Sequence, residues 1–322
     1  MKKYELTDEC LDLGYVKLFR IKVVTAFSNL KVGDLGGYIE KEGNLDHNGN
    51  AWVYGNAWVY GNAWVYGNAR VYGNARVYGN ARVYGNARVY GDAWVSDNAR
   101  VYGDAWVYGN AWVYGDAQVS DNARVYGNAW VYGDAQVSDN ARVYGNARVY
   151  GNARVYGDAQ VSDNARVYGD AQVSDNAQVS DNARVYGNAR VYGNARVYGD
   201  AQVSDNAWVS DNARVYGDAW VYGNAWVYGN ARVYGNAWVY GNAWVYGDAW
   251  VRNFDEITST QQYMNIIGFS YKITVTYCSI HIGCKDYTID ELDNENTELD
   301  SNEVLRIKSL VEVCLDRILE KM

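Results

Sequence analysis

The sequence predicts an all-β fold, a single-stranded parallel β-helix with triangular coils of about 18 residues, and three observations carry that reading. A six-residue period runs unbroken from Ala51 to Val251 and gives 34 hexads: Ala, then Trp, Arg or Gln, then Val, Tyr or Ser, Gly or Asp, and Asn or Asp. Ala and Val lie two apart, as do the variable residue and the Tyr or Ser that follows Val, so in a strand the first pair faces in and the second faces out. The closing dipeptide is Gly-Asn, Gly-Asp or Asp-Asn. These residue types tolerate positive φ, so the chain turns a corner every six residues and closes a coil after three strands.

The elements follow in order. Residues 1–50 contain an alternating run, YVKLFRIKVV, and then GGYIEKEGNLDHNGN, in which Gly43-Asn44 and Gly49-Asn50 keep the corner spacing. There Leu45 stands where Ala is expected and His47 falls at the Val position, which reads as a degraded first coil under an N-terminal cap. A cap is needed because an open sheet end exposes unpaired backbone and invites polymerisation. Residues 51–252 are the β-helix itself. Its narrow Ala and Val core buries little area per residue, so stability sums over many similar coil interfaces. Residues 253–322 change character: alternation between Tyr271 and Ile282 predicts a β-hairpin, and an apolar stripe from Val304 to Met322 predicts an amphipathic helix.

Composition narrows the function. Proline is absent, as suits ladders that use every backbone N–H. The net charge is −9, but the array from Ala51 to Arg252 holds 16 Arg against 17 Asp, so the acidity belongs to the ends. Nucleic acid is not favoured, because duplex affinity needs a basic excess. The first residues are polar where a secretory signal needs an apolar run, and no stretch is long and apolar enough to span a bilayer. Four scattered cysteines fit free thiols in a reducing cytoplasm.

Val at the aliphatic position and Ala four residues later, as in Val53 and Ala57, resemble the left-handed parallel β-helix family. With the YELT strand, the GGYIEKEGNL segment and the long NAxVYG array, residues 1 to about 252 resemble the YdcK-like β-solenoid proteins of bacteria and their prophages. The resemblance implies a single-stranded left-handed β-helix; the family's transferase label rests on fold analogy. Hexapeptide acyltransferases carry a catalytic His and a cleft on loops extruded between coils. This array has neither an interruption nor a histidine, since His47 precedes it and His281 follows it.

The remaining chemistry lies in two places. Cys278, His281 and Cys284, with Asp286 nearby, have a spacing that metal sites use, but alternation puts the His opposite the two Cys, which favours a small hairpin with inert thiols. The outward pairs are more informative. Hexads 18 residues apart share a face, so Trp94, Trp112 and Trp130 form one strip, and Trp208, Trp226 and Trp244 another. Tyr114 and Tyr132 run beside the first, Tyr228 and Tyr246 beside the second. Each strip offers an apolar surface on the scale of an interaction site, while stacking along the ladder, with Arg over rings, explains the same pattern structurally.

The expected protein is therefore a cytoplasmic, non-enzymatic scaffold without a cofactor, a capped β-helix rod presenting Trp, Tyr and Arg ladders to a protein partner or to itself. Residues 253–322 are the expected carrier of specificity or oligomerisation, because their amphipathic helix needs a partner surface. The alternatives are a glycan-binding phage or cell-surface-related component and a hexapeptide-type acyltransferase. Flat ranks of Thr and calcium-binding nonapeptides, the marks of two other solenoid functions, are absent from the array.

Overall fold

The computed structural model describes residues 1–252, 255–257, 262–266, 273–276, 279–282, 285–287, 291 and 301–320. The chain is a parallel β-solenoid that divides into two compact units, Met1–Asp175 and Asn176–Met322. In both units the hexad contributes a two-residue strand, the variable residue and Val. Trp94–Val95, for example, pairs in parallel with Trp112–Val113, 18 residues on. Three hexads make a coil, and every Ala and Val of the array is fully buried.

The strand is shorter than the four-residue alternation suggests, for a reason visible in the hydrogen bonds. Arg70 N donates to Ala87 O at 2.9 Å, Tyr72 N to Val89 O at 3.0 Å and Asn74 N to Gly91 O at 2.8 Å, so each hexad sends N–H groups to the next coil. The Tyr carbonyl leaves this ladder: Tyr54 O accepts from Ala57 N at 3.1 Å and closes the corner. The corner needs positive φ. Gly73 sits at +72°, and a Cβ there would lie 2.9 Å from Gly91 N of the next coil.

Eight corners nevertheless carry Asp, at φ of 56° to 59°, and each follows a Ser in the Tyr position. The carboxylates of Asp97, Asp139, Asp181, Asp205 and Asp211 accept the N–H of the Gly one coil on, at 3.0 to 3.2 Å. Where the next corner is itself Asp, as above Asp121, the carboxylate takes the hydroxyl of its own Ser120 at 3.0 Å instead. Ser and Asp are thus one module: the side-chain bond offsets the cost of a left-handed residue with a Cβ.

The last corner residue builds a second ladder. Asn50 Nδ2 donates to Asn68 Oδ1 at 3.0 Å, Asn68 to Asn86 at 3.1 Å, and Asn86 to the Asp104 carboxylate at 3.0 Å. Each such bond in the structure runs toward the later coil. An Asp ends the run because a carboxylate accepts but cannot donate.

At the N-terminus, antiparallel strands Tyr4–Asp12, Lys17–Val23 and Leu35–Ile39 lead onto the solenoid, where Tyr38 and Ile39 pair with Trp58 and Val59. The register here differs from expectation. Leu45 pairs with Val65, not Ala63, and Asp46 N donates to Val65 O as the residue after Val does elsewhere. Leu45 is therefore the aliphatic residue of a coil two residues longer. His47 is displaced from the core and stacks on Tyr4 at 4.3 Å. Trp52, an outward residue by pattern, is fully buried between Tyr4 and Phe27. The exposed backbone of the first coils is met by side chains: Lys3 Nζ donates to Ala51 O at 2.8 Å, and buried Asn44 Nδ2 to Ala63 O at 2.9 Å.

The second unit ends in more structure than the expected hairpin. Tyr263–Ile266, Ile273–Thr276, Ile280–Ile282 and Lys285–Tyr287 form a four-stranded antiparallel sheet, followed by the helix Ser301–Leu319. The helix lays Ile307, Val311, Cys314, Leu315 and Ile318 on Ile273, Val275, Ile280 and Ile282. Much of its apolar stripe is therefore covered by its own sheet. That sheet also closes the last coil: Tyr263 donates to Trp244 O at 2.9 Å and accepts from Tyr246 N at 3.1 Å, while Thr274 Oγ1 accepts from Trp250 N at 3.0 Å. These bonds satisfy edge groups that would otherwise template pairing.

Candidate functional site: stacked aromatic ladders

The expected tryptophan strips form with the expected register. Trp94 pairs with Trp112 and Trp112 with Trp130; Trp208 pairs with Trp226 and Trp226 with Trp244. In the first strip the indoles stack at 4.7 and 5.1 Å, in the second at 4.6 and 5.3 Å, all within 14° of parallel. Tyr114 stacks on Tyr132 at 4.9 Å and Tyr228 on Tyr246 at 5.3 Å. Such pairs contribute about 0.5–1.5 kcal/mol each beyond area burial.

Arginine closes the stacks. Arg76 lies 4.9 Å from the Trp94 ring, Arg148 4.7 Å from Trp130 and Arg190 5.0 Å from Trp208. Stacking has a cost in accessibility. Five of the six indoles are half-buried; Trp244 is 46% exposed and Tyr246 42%. The strips are thus less open than a row of three exposed indoles. Burial raises the phenol pKa of Tyr114, Tyr132 and Tyr228, which keeps these rings neutral.

Sequence reasoning missed a pair. Trp220 and Trp238 stack at 5.6 Å and remain 38% and 43% exposed. The same 18-residue spacing identifies them, but a search for runs of three passes over a run of two. Trp64, at 39%, is likewise exposed near the N-terminal cap.

The two histidines are built into the caps. The His47 Nδ1 accepts Lys3 N–H at 3.3 Å, and its Nε2 lies 3.8 Å from Glu42. Beyond the array, His281, Asp255 and Ser279 come together although no motif announces it. His281 Nε2 is 2.8 Å from Asp255 Oδ2 and 2.9 Å from Ser279 Oγ, and Nδ1 accepts Arg252 Nε–H at 3.2 Å. A Ser-His-Asp triad uses opposite ring nitrogens for Ser and Asp. Here both partners crowd Nε2, and His281 and Asp255 are each 1% exposed. Asp255 also accepts from Thr276 at 2.8 Å and from Arg252 N at 3.0 Å. Burial pushes its pKa up, but the hydrogen bonds from His281, the Ser279 hydroxyl and Arg252 N–H outweigh it and hold the carboxyl below its ordinary value. The cluster pins the end of the solenoid to the C-terminal sheet.

Of the cysteine and histidine run, Cys278 and Cys284 lie outside the described residues, and both ring nitrogens of His281 are already engaged. Among the described residues, no group of three His, Cys, Asp or Glu is placed to hold a metal ion. No described helix is long and apolar enough to cross a membrane. Cys10 is an exposed free thiol and Cys314 a buried one.

Comparison with known proteins adds one firm result. The profile of the YdcK β-solenoid repeat matches the chain in overlapping or successive segments: 51–67, 63–79, 69–82, 81–97, 93–109, 99–115, 117–133, 135–149, 147–160, 159–175, 177–191, 189–205, 207–223 and 225–241. No curated protein matches the chain. Among solved structures it is similar to a crystal structure of a Bacillus cereus protein provisionally named an acetyltransferase, at 10% identity and a TM-score of 0.15, over 73% of this chain and 92% of that one. A likeness of that size carries no argument about chemistry.

Proposed function

The chain belongs to the YdcK β-solenoid repeat family, and from that premise we propose that it is a non-enzymatic cytoplasmic scaffold whose outward ladders dock a protein surface, a partner's or another copy's. The observation that carries this reading is the set of large rings left at the surface of the second unit: Trp220, Trp238, Trp244 and Tyr246 are 38% to 46% exposed. Exposed indoles of this kind are enriched where proteins meet. The non-enzymatic half of the reading draws support from the histidines, both committed to cap contacts. A bacterial or prophage origin belongs to the same proposal.

The test replaces Trp208, Trp226 and Trp244 by Ser and, separately, Trp220 and Trp238 by Ser. The native mass of the assembly and partner recovery from the host are then compared with the parent chain. Loss of association in either variant, with the β spectrum intact, supports the scaffold reading. Unchanged association in both overturns these surfaces as the docking site. Turnover of acetyl-CoA that depends on His47 or His281 overturns the non-enzymatic half.

A further inference from the structure

The tyrosine ladder through Tyr60 and Tyr78 lacks a rung at Ser96. Tyr60 stacks on Tyr78 at 5.0 Å and Tyr114 on Tyr132 at 4.9 Å, but the position between Tyr78 and Tyr114 is Ser96. The missing ring leaves a recess of about 280 Å³ lined by Tyr78, Trp94, Ser96, Asp97, Trp112 and Tyr114. Ser96, 6% exposed, is its floor. The stacked indoles of Trp94 and Trp112 form one side, and Tyr78 meets Trp94 edge-on at 6.3 Å.

Not every Ser hexad leaves such a space. Where Gln precedes the Ser by two and a Tyr stands one coil earlier, the Tyr hydroxyl bonds to the Gln, as from Tyr102 to Gln118 at 3.3 Å and from Tyr186 to Gln202 at 3.2 Å. The Trp-Val-Ser-Asp hexad occurs only twice in the sequence, at Trp94 and at Trp208, and residues 93–115 recur letter for letter as 207–229. The second copy, wholly inside the second unit, repeats the contacts. Tyr192 meets Trp208 edge-on at 6.1 Å, Trp208 stacks on Trp226 at 4.6 Å, and Gly229 N donates to Asp211 at 3.1 Å.

We propose that the recess at Ser96 and the matching position at Ser210 are sugar sites, each taking one neutral pyranose ring in place of the missing tyrosine. The ring positions above and below are set by the coil repeat, so one six-membered ring fits between two phenol faces as the chain's own rungs do. The C–H faces of a pyranose suit those apolar walls. Its edge hydroxyls both donate and accept, and the lining offers both partners: the Asp97 carboxylate, which accepts, and the Ser96 hydroxyl, which donates or accepts. A phenyl ring leaves these polar groups unused. The recess is shallow and each site holds a single ring, so affinity for one sugar unit is roughly millimolar.

The decisive variant is the quadruple change Ser96→Tyr, Asp97→Gly, Ser210→Tyr and Asp211→Gly. It turns both hexads into the Ala-Trp-Val-Tyr-Gly-Asn form found elsewhere in the array, so the rung is restored with the chain's own solution. Parent and variant are titrated with methyl glucosides, galactosides and mannosides, and with methyl N-acetylglucosaminide, by saturation-transfer NMR and tryptophan fluorescence. Saturable binding of at least one glycoside by the parent and its loss in the filled variant is the expected result. No saturable binding by the parent, equal binding by both chains, or preference for phenol or tetramethylammonium over every glycoside overturns the proposal. If the filled variant does not fold, the pair Asp97→Asn and Asp211→Asn replaces it, with an expected fall in affinity of about fivefold from one weakened hydrogen bond; unchanged affinity overturns the proposal. The filled variant keeps every Trp of the two strips, so loss of sugar binding with association intact separates this site from the docking surface proposed above.

Discussion

Changing Asp205 separates two opposing terms at one corner. Asp205 sits at φ 57°, follows buried Ser204, and accepts Gly223 N–H at 3.2 Å. Asp205→Ala keeps the Cβ in a left-handed conformation and removes the acceptor. The lost bond contributes about 1 kcal/mol net, and Ala lacks the local hydrogen bonding that lets Asp visit this region, a further 0.5–1 kcal/mol. The expected loss is therefore about 1.5–2 kcal/mol. Asp205→Gly loses the same bond but relieves the left-handed penalty of about 1–2 kcal/mol, offset in part by a more flexible unfolded chain. It is expected to lie within about 1 kcal/mol of the parent. A long repeat array need not unfold in one step, so guanidinium melts are paired with native-state exchange at the Gly223 amide. That amide should exchange faster in both variants, while global stability falls only in the Ala variant. An Ala variant as stable as the parent, or a Gly variant less stable than the Ala one, refutes the account of the Ser-Asp module.

Three further outcomes follow from the caps and the ladders. Asp255 is held below its ordinary carboxyl value of 3.8, so its contribution is fully present above that value and is lost as pH falls through the folded one. The protection factor of the Arg252 amide, which donates to Asp255, should fall over that acid window in the parent and stay constant there in Asp255→Asn. Burial lowers Lys3 from 10.5 to about 8, with Asp46 opposing. A cation destabilised by folding makes stability rise with pH between about 8 and 10.5. Thermal melts from pH 7.5 to 9.5 should show that slope in the parent and lose it in Lys3→Met; the range stops short of 10, where the raised pKa of Tyr4 acts in the other direction. Finally, Asn86→Asp removes the donor to Asp104 and stacks two carboxylates, which should cost about 1 kcal/mol or more at low salt and less in 1 M salt. A melt insensitive to both the change and the salt would count against the ladder as a stabilising element.

The parts of this molecule that repeat were legible in its sequence. The six-residue period gave the inward Ala and Val, the corners and the strip register, because each coil touches only its neighbours and one local rule governs them all. The ends were not. Leu45 keeps the hexad spacing by letter yet takes the aliphatic place against Val65, since a coil two residues longer is invisible without its pairing. Trp52 carries the outward label of its hexad but is covered by Tyr4 and Phe27, residues far away in sequence. The four strands after Glu256 are too short and irregular for alternation to count, and Asp255, Ser279 and His281 meet only through that folding. The recess at Ser96 was in view as a break in the Tyr letters, yet a missing side chain draws less attention than a present one.

The near-identity of the coils leaves the array almost degenerate to translation. Shifting one half of the growing solenoid by a whole coil puts Val over Val and Ala over Ala again, and every backbone bond is remade. What such a slip disturbs is confined to mismatched outward rings, interrupted asparagine runs and Asp corners facing the wrong neighbour. The true origin of the count is fixed where the two-residue offset of Leu45 and the side chains of Lys3 and Asn44 fit only one coil. At the other end, Tyr263 and Thr274 fit only the last one. The caps therefore act as the index marks from which the chain numbers its own coils, and folding that begins away from them has a slow correction step to undergo.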